Sequence, residues 1–323
     1  MKYTLLILTI CSTILLASCG DNSPKRPLST ETMDSGTVEV FVDESYKFAL
    51  DSVFAMYNER NSKVTLIVNY VNARNAVAQL LGGRTRVSIV GRDYLADEDS
   101  LMTQYNIKSY YQMDIANDGI VFFTQADFPL DTINTDILEQ VFTQKKKFVD
   151  VVKYDFKSRD WNKHSSGDIY KNEPEFVIAE QNSSEYGNFL NLVCNRTPAT
   201  HSLHLLGTSD SVLDYVKEHP NSIGICYLSQ VQGKFFKILR VGYKDSTNKY
   251  IPASKPPHQS YIIMGEYPYT TLLRLYLLED RKNLPFWLGA FLEKEAVSVQ
   301  YYKSQRLAPS YAKYTLDDER RKK

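Results

Sequence analysis

From residue 37 onward the chain alternates short apolar runs with stretches of helical spacing, and that alternation restricts the fold more than any other feature. TVEVFV (Thr37 to Val42) reads as a strand. DESYKFALDSVFAMYNER (Asp43 to Arg60) follows, with apolar residues at Phe48, Val53, Phe54 and Tyr57 spaced as on one helix face. VTLIVNYV (Val64 to Val71) is the next strand, then a helix over residues 73–81, a turn at Gly82 and Gly83, and a third strand, VSIV (Val87 to Val90). Strand, helix, strand, helix, strand predicts a parallel sheet covered by its own crossover helices. The pattern returns with FVIA (Phe176 to Ala179) and its helix, a helix from Ser209 to Glu218, and the strand IGICYL (Ile223 to Leu228). Two α/β units in one chain imply a cleft, with ligands expected where the carboxyl ends of strands and helix starts converge.

The segment ahead of this body is of another kind. Lys2 precedes an apolar core, Leu5 to Ile10, and then CSTILLASC, with small residues before Cys19. A basic start, a short apolar core and a small-residue cleavage point read as an export signal, residues 1–19, too short to span a bilayer. LASC resembles a bacterial lipobox, which implies cleavage before Cys19, acylation of its thiol, and an extracytoplasmic chain tethered to a membrane of the cell envelope. Residues 20–36, GDNSPKRPLSTETMDSG, read as a flexible spacer. Two cysteines remain in the body, Cys194 and Cys226, and whether they pair stays open.

Lys plus Arg and Asp plus Glu both number 38, so no overall field draws the chain to nucleic acid. His201 and His204 stand three apart, but neither HExxH nor CxxC accompanies them, and no zinc site or other cofactor is expected. No GxSxG elbow occurs either, so catalysis is not expected. The 23 tyrosines fit sugar or protein contacts as well as a strand-rich core.

One stretch raises a sharper question. EQNSSEYGNFL, residues 180–190, follows the FVIA strand, and its Asn182, Ser183 and Ser184 are good helix caps. A helix start attracts anions, yet Glu180, Gln181 and Glu185 offer no positive charge and would repel one.

Several separated pieces, in order, resemble the PstS-like family of extracytoplasmic phosphate-binding proteins serving ABC uptake systems. They are VEVFVDES, GRTRVSIVGRDYL, NDGIVFF, ILEQVFTQ with Trp161 after it, NSIGICYLSQV, YPYTTLLRLYLL and FLEKEAVSVQYYKSQRLAP, which together span most of residues 37–310. The resemblance implies a two-lobed α/β fold of the periplasmic-binding-protein type (type II), with a ligand cleft between lobes joined by two crossover strands. Lobe 1 would be residues 37–114 plus 240–323, and lobe 2 residues 115–239. The crossovers would be IANDGIVFF and the segment after Leu228.

The family's ligand residues carry over unevenly. Its first anion loop falls on Asp43, Glu44 and Ser45, where only Ser45 keeps a hydroxyl. Its second falls on Asn72, Ala73 and Arg74. Where the family has a ligand-accepting Asp, this chain has Arg86. The family's Arg-x-x-x-Ser-Gly-Thr falls on Ala179 to Glu185, so Gln181, Asn182, Ser183 and Ser184 lie in the motif while its Arg is absent and its Thr is Glu185.

An Arg fork is the strongest single phosphate contact, so two readings stay open. Arg86 or Arg74, across the cleft, could supply the charge for phosphate or a related small oxyanion, delivered to an ABC permease. Alternatively the acidic groups pair with Arg74 and Arg86, phosphate binding is lost, and a lipid-anchored, monomeric envelope protein acts through another ligand or a protein partner. Arg92 and Glu44, taken singly, read as solvated loop charges.

Overall fold

The computed structural model describes residues 31–108, 111–155, 173–254 and 256–311. The expected leader with Cys19, and Trp161, lie outside them.

The first lobe builds from β1 (Gly36–Asp43), a 3-10 turn (Glu44–Tyr46), α1 (Lys47–Arg60), β2 (Val64–Val71), α2 (Ala73–Leu81), β3 (Val87–Val90) and α3 (Ala96–Gln104). β1 pairs in parallel with both β2 and β3, so it is covered on both edges and both faces. That is why Val40 to Asp43 are all buried instead of alternating. α1 seals one face with Ala49, Leu50, Val53, Phe54 and Tyr57, and α2 seals a second cluster with Ala73, Ala76, Val77 and Leu80 against Phe41, Val90 and Tyr276.

β4 (Tyr111–Gln125) joins the lobes. At 15 residues it is about 50 Å long, enough to serve two sheets. Tyr111 to Gly119 pair with Thr270 to Leu277, while Ile120 to Phe123 pair with Gly224 to Tyr227. The change of partner falls at Asp118 and Gly119. Beyond it come β5 (Thr132–Asn134), α4 (Thr135–Gln144), α5 (Phe148–Asp155), β6 (Glu175–Ala179), α6 (Ser184–Asn188) with a π-helical turn (Phe189–Val193), β7 (Leu203–Leu206), α7 (Ser209–Glu218) and β8 (Ser222–Tyr227). β8, β6 and β7 run parallel, repeating the logic of the first lobe. The chain continues through β9 (Phe236–Ile238), β10 (Arg240–Lys244) and β11 (Tyr250–Ile251), then α8 (Gln259–Ile263), β12 (Thr270–Leu277), α9 (Leu284–Lys294), α10 (Ala296–Ser304) and β13 (Ala308–Pro309). The strand path β2-β1-β3-β12-β4-β8-β6-β7 is one curled sheet shared by two lobes.

Two expectations change, and one question left open is settled. The return to lobe 1 does not begin at residue 240, because β10 pairs in parallel with β5 of lobe 2, Arg240 opposite Thr132 and Gly242 opposite Asn134. The return runs through the segment after Ile251 and rejoins at Thr270, opposite Gly119. The spacer also ends earlier than residue 36, since Glu31 is buried against Arg86 at 2.7 Å. Cys194 and Cys226 are buried free thiols.

Packing at the crossover is tight. Gly224 on β8 sits opposite Phe123 on β4, and a Cβ there would lie 2.3 Å from Phe123 Cζ. Gly224→Ala is expected to cost about 1–3 kcal/mol by overpacking. Urea unfolding measures it, and a midpoint equal to the wild type would contradict the assignment of Gly224 as a packing glycine.

Candidate functional site in the cleft between the lobes

The carboxyl ends of β1 and β3 meet the start of α6 across the cleft. β1 ends in Asp43, whose carboxylate accepts from the backbone N–H of Ser45 at 3.2 Å and of Gly91 at 3.0 Å. Gly91 follows β3, and its carbonyl accepts from Asn188 Nδ2 at 2.7 Å and from the Tyr227 hydroxyl at 3.0 Å, both from lobe 2. Gly91 must be glycine because a Cβ would lie 2.3 Å from Tyr46 Cε2.

Ser183 caps α6 by accepting from Tyr186 N at 3.1 Å, which turns the next two side chains into the cleft region. Glu185 is fully buried there. Its Oε2 accepts from Ser45 Oγ at 2.9 Å and, at the limit of bonding, from Ser184 Oγ at 3.5 Å. Its Oε1 accepts from Ser209 Oγ, at the start of α7, and from Gln230 Nε2 at 3.1 Å. Gln230 Nε2 also donates to the Ser45 carbonyl at 3.0 Å, and its Oε1 accepts from Tyr227 N. The run 180–190 is thus a capped helix whose first turn carries its own anion, a favourable place for a carboxylate.

The electrostatics are acidic. Burial raises Asp43 above the usual carboxylate range. Burial, then the nearby Asp43 charge, does the same to Glu185. Two carboxylates so close in low dielectric do not both ionise readily, and they titrate as a unit. A third, Asp118, is fully buried at the partner change of β4 and accepts from Ser229 Oγ, Gly119 N at 2.8 Å and Ser229 N at 3.3 Å. Burial pushes it up to about 7. Among the described residues the buried Tyr46 hydroxyl has no hydrogen-bond partner, and it lies within electrostatic reach of all three.

The arginines are engaged elsewhere. Arg74 forms ion pairs with Asp97 and Glu98; only its backbone N–H crosses the cleft, to Asn182 O at 3.0 Å. Arg86 stands at the amino end of β3, the end opposite Gly91, and binds Glu31 and Glu279. The expectation that it reaches the cleft is corrected by that position. Arg92, read from sequence as a solvated loop charge, is 1% exposed and forks onto Glu98, at 2.7 and 2.8 Å.

The remaining expected residues divide. Asp43, Ser45, Ser184 and Glu185 come together. Asn72 caps α2 and donates to Glu180 at 2.9 Å on the rim. Glu44, Gln181 and Asn182 are exposed there, with burial and then the neighbouring acids Asp43 and Glu180 raising Glu44. Sequence reasoning missed Asp118, Asn188, Ser209, Tyr227 and Gln230. Asp118, Asn188, Tyr227 and Gln230 stood inside quoted stretches, and Ser209 opened an expected helix, but nothing local marks them as cleft residues. A separate groove of about 1220 Å³, lined by Asn134, Gln140, Lys145, Lys146, Lys147 and Lys244 among others, lies in lobe 2 beside β5 and β10 and includes none of the residues at the ends of β1 and β3.

With this geometry in view, a profile of the PBP superfamily domain matches residues 29–319. The chain belongs to the PBP superfamily. Its fold is that of PstS-type proteins: a Clostridium perfringens protein described as a phosphate ABC transporter substrate-binding protein, solved with bound phosphate, superposes with TM-score 0.63 at 15% identity, covering 84% of this chain and 98% of that one. An ABC-type phosphate transport receptor from Vibrio cholerae gives 0.60 at 13% identity, covering 84% and 99%. PstS from Borrelia burgdorferi gives 0.52 at 15%, covering 85% and 99%. Comparison with curated protein sequences returns no match. Among the described residues no helix is long and apolar enough to cross a membrane.

Proposed function

We propose that this PBP-superfamily chain is a lipid-anchored envelope protein that has exchanged phosphate capture for another role, most simply contact with a protein partner through its joined lobes. The observation that carries this reading is the pair of buried carboxylates, Asp43 and Glu185, at the meeting of β1, β3 and α6, with Arg74, Arg86 and Arg92 each paired with other acids. A phosphate dianion beside a buried carboxylate costs several kcal/mol without a paired cation. Calorimetry with phosphate and sulfate at pH 7.5 is expected to show no binding up to millimolar anion. Saturable phosphate binding at micromolar concentration would overturn the reading.

The hydroxyls of Ser45, Ser184 and Ser209 favour a second reading, weak oxyanion capture once the acids are protonated. Protonation proceeds below their raised pKa values, so binding absent at pH 7.5 and present at pH 5 would support it. The anchor rests on LASC. Cys19→Ser is expected to abolish incorporation of labelled fatty acid, and equal labelling of both proteins would refute lipidation at Cys19.

A further inference from the structure

We infer that the Glu185 carboxyl group is a built-in ligand, a stand-in for a small oxyanion supplied by the chain itself, which occupies the cleft's donors and ties the two lobes together. This deepens the reading above and rests on it.

The argument starts from what a carboxylate needs. It has two oxygens and about four acceptor directions, as a small free oxyanion does. Here four donors meet it. Ser45 comes from lobe 1, and Ser184, Ser209 and Gln230 come from lobe 2. Ser45 follows β1 in lobe 1 and Glu185 lies in the first turn of α6 in lobe 2, so their bond crosses between lobes. Gln230 spans the same gap, holding Glu185 Oε1 and the Ser45 carbonyl with one amide nitrogen. Hydroxyl and amide donors converging from both lobes on one buried carboxylate form a working oxyanion site whose occupant is part of the chain.

The occupant is covalently attached, so it arrives without the translational and rotational cost that a free ligand bears, and at the high effective concentration of an intramolecular group. A free anion must displace it from these donors and also face Asp43. Closure then depends on residue 185 and not on a solute.

Full-length protein in detergent tests this by chemical rescue. Glu185→Ala removes the carboxylate and leaves the four donors. Its melting temperature is expected to fall below the wild type and to rise again by about 3 °C or more, saturably, with formate or acetate against chloride controls, while the wild type does not respond. A folded Glu185→Ala protein unresponsive to formate, acetate and phosphate, or an equal response from the wild type, overturns the inference. If Glu185→Ala does not fold, Ser45→Ala decides: it keeps the carboxylate and removes the lobe 1 hydroxyl. Small-angle scattering should then show a larger radius of gyration, and an unchanged radius overturns the inference. Phosphate binding by the wild type would defeat the proposed function but is read separately from rescue of the variant.

Discussion

Arg92→Ala is expected to lower the stability of the protein by about 3–5 kcal/mol, the range for removing one partner of a buried ion pair. Arg92 and Glu98 are 1% and 3% exposed, and their fork is bidentate. Glu98 also accepts from Leu95 N at 2.8 Å, which pins the start of α3, and Arg92 Nη1 donates to the Asp93 carbonyl at 2.9 Å. The Arg92 stem packs on lobe 2, where a Cβ on Gly187 would lie 2.9 Å from Arg92 Cδ. Truncation therefore leaves a buried carboxylate whose remaining cation is the partly exposed Arg74 at 3.2 Å, and a void between the lobes. Arg74 places the loss nearer the lower end of that range. Urea denaturation measures it, and a loss below about 1 kcal/mol would mean the pair is solvated in solution. Adding Glu98→Gln should recover part of the loss, because the uncompensated charge is then gone.

Stability should fall as pH rises from about 4 to 7, the reverse of ordinary acid denaturation. Asp118 binds its proton up to about pH 7 when folded, through burial, against an ordinary value of 3.8 when unfolded. Between those values the native state holds a proton that the unfolded state has released. The stabilisation is complete below the unfolded pKa and is lost as pH rises through the folded one, by about 1.4 kcal/mol per pH unit and roughly 4 kcal/mol in total. Asp43 and Glu185, both raised by burial, act in the same direction. His201, raised by its bond to Glu173, also loses stabilisation as pH rises. Carboxylates held low, such as Glu173 and Asp97, oppose this only near and below pH 4. Chemical denaturation at pH 5, 6 and 7, on wild type and Asp118→Asn, separates the contributions. The Asn variant keeps an acceptor for Ser229 and Gly119 and should show a slope smaller by about 1 kcal/mol per pH unit. Stability that climbs with pH in the wild type, or equal slopes in the two proteins, would sink the prediction.

Both predictions turn on buried charges where the lobes adjoin. The lobes meet through groups the chain owns: Ser45 with Glu185, Asn72 with Glu180, Arg74 N with Asn182, and Asn188 with Gly91.

The sequence by itself determined the elements and the architecture, because these rest on local periods. Val38, Val40 and Val42, the face of α1 carrying Val53, Phe54 and Tyr57, and the largely apolar runs of β3 and β8 are each visible within a dozen residues. The strand–helix order then left few topologies. Asp43, Ser45, Ser184 and Glu185 were also legible, since they sit at the carboxyl end of a strand or at a helix start, where a cleft residue belongs. Only the tertiary structure decided which charges face one another. Arg86 and Arg92 lie six residues apart in the same segment, yet one is held at the far end of β3 by Glu31 and Glu279 and the other is buried with Glu98 beside lobe 2. No local pattern separates them, because the worth of an ion pair is set by burial and by partners that are remote in sequence. The same holds for Ser209 and Gln230, ordinary polar residues until the fold places them on Glu185. The boundary at residue 240 was misplaced for a related reason: a short strand does not announce its partner, and β10 found β5.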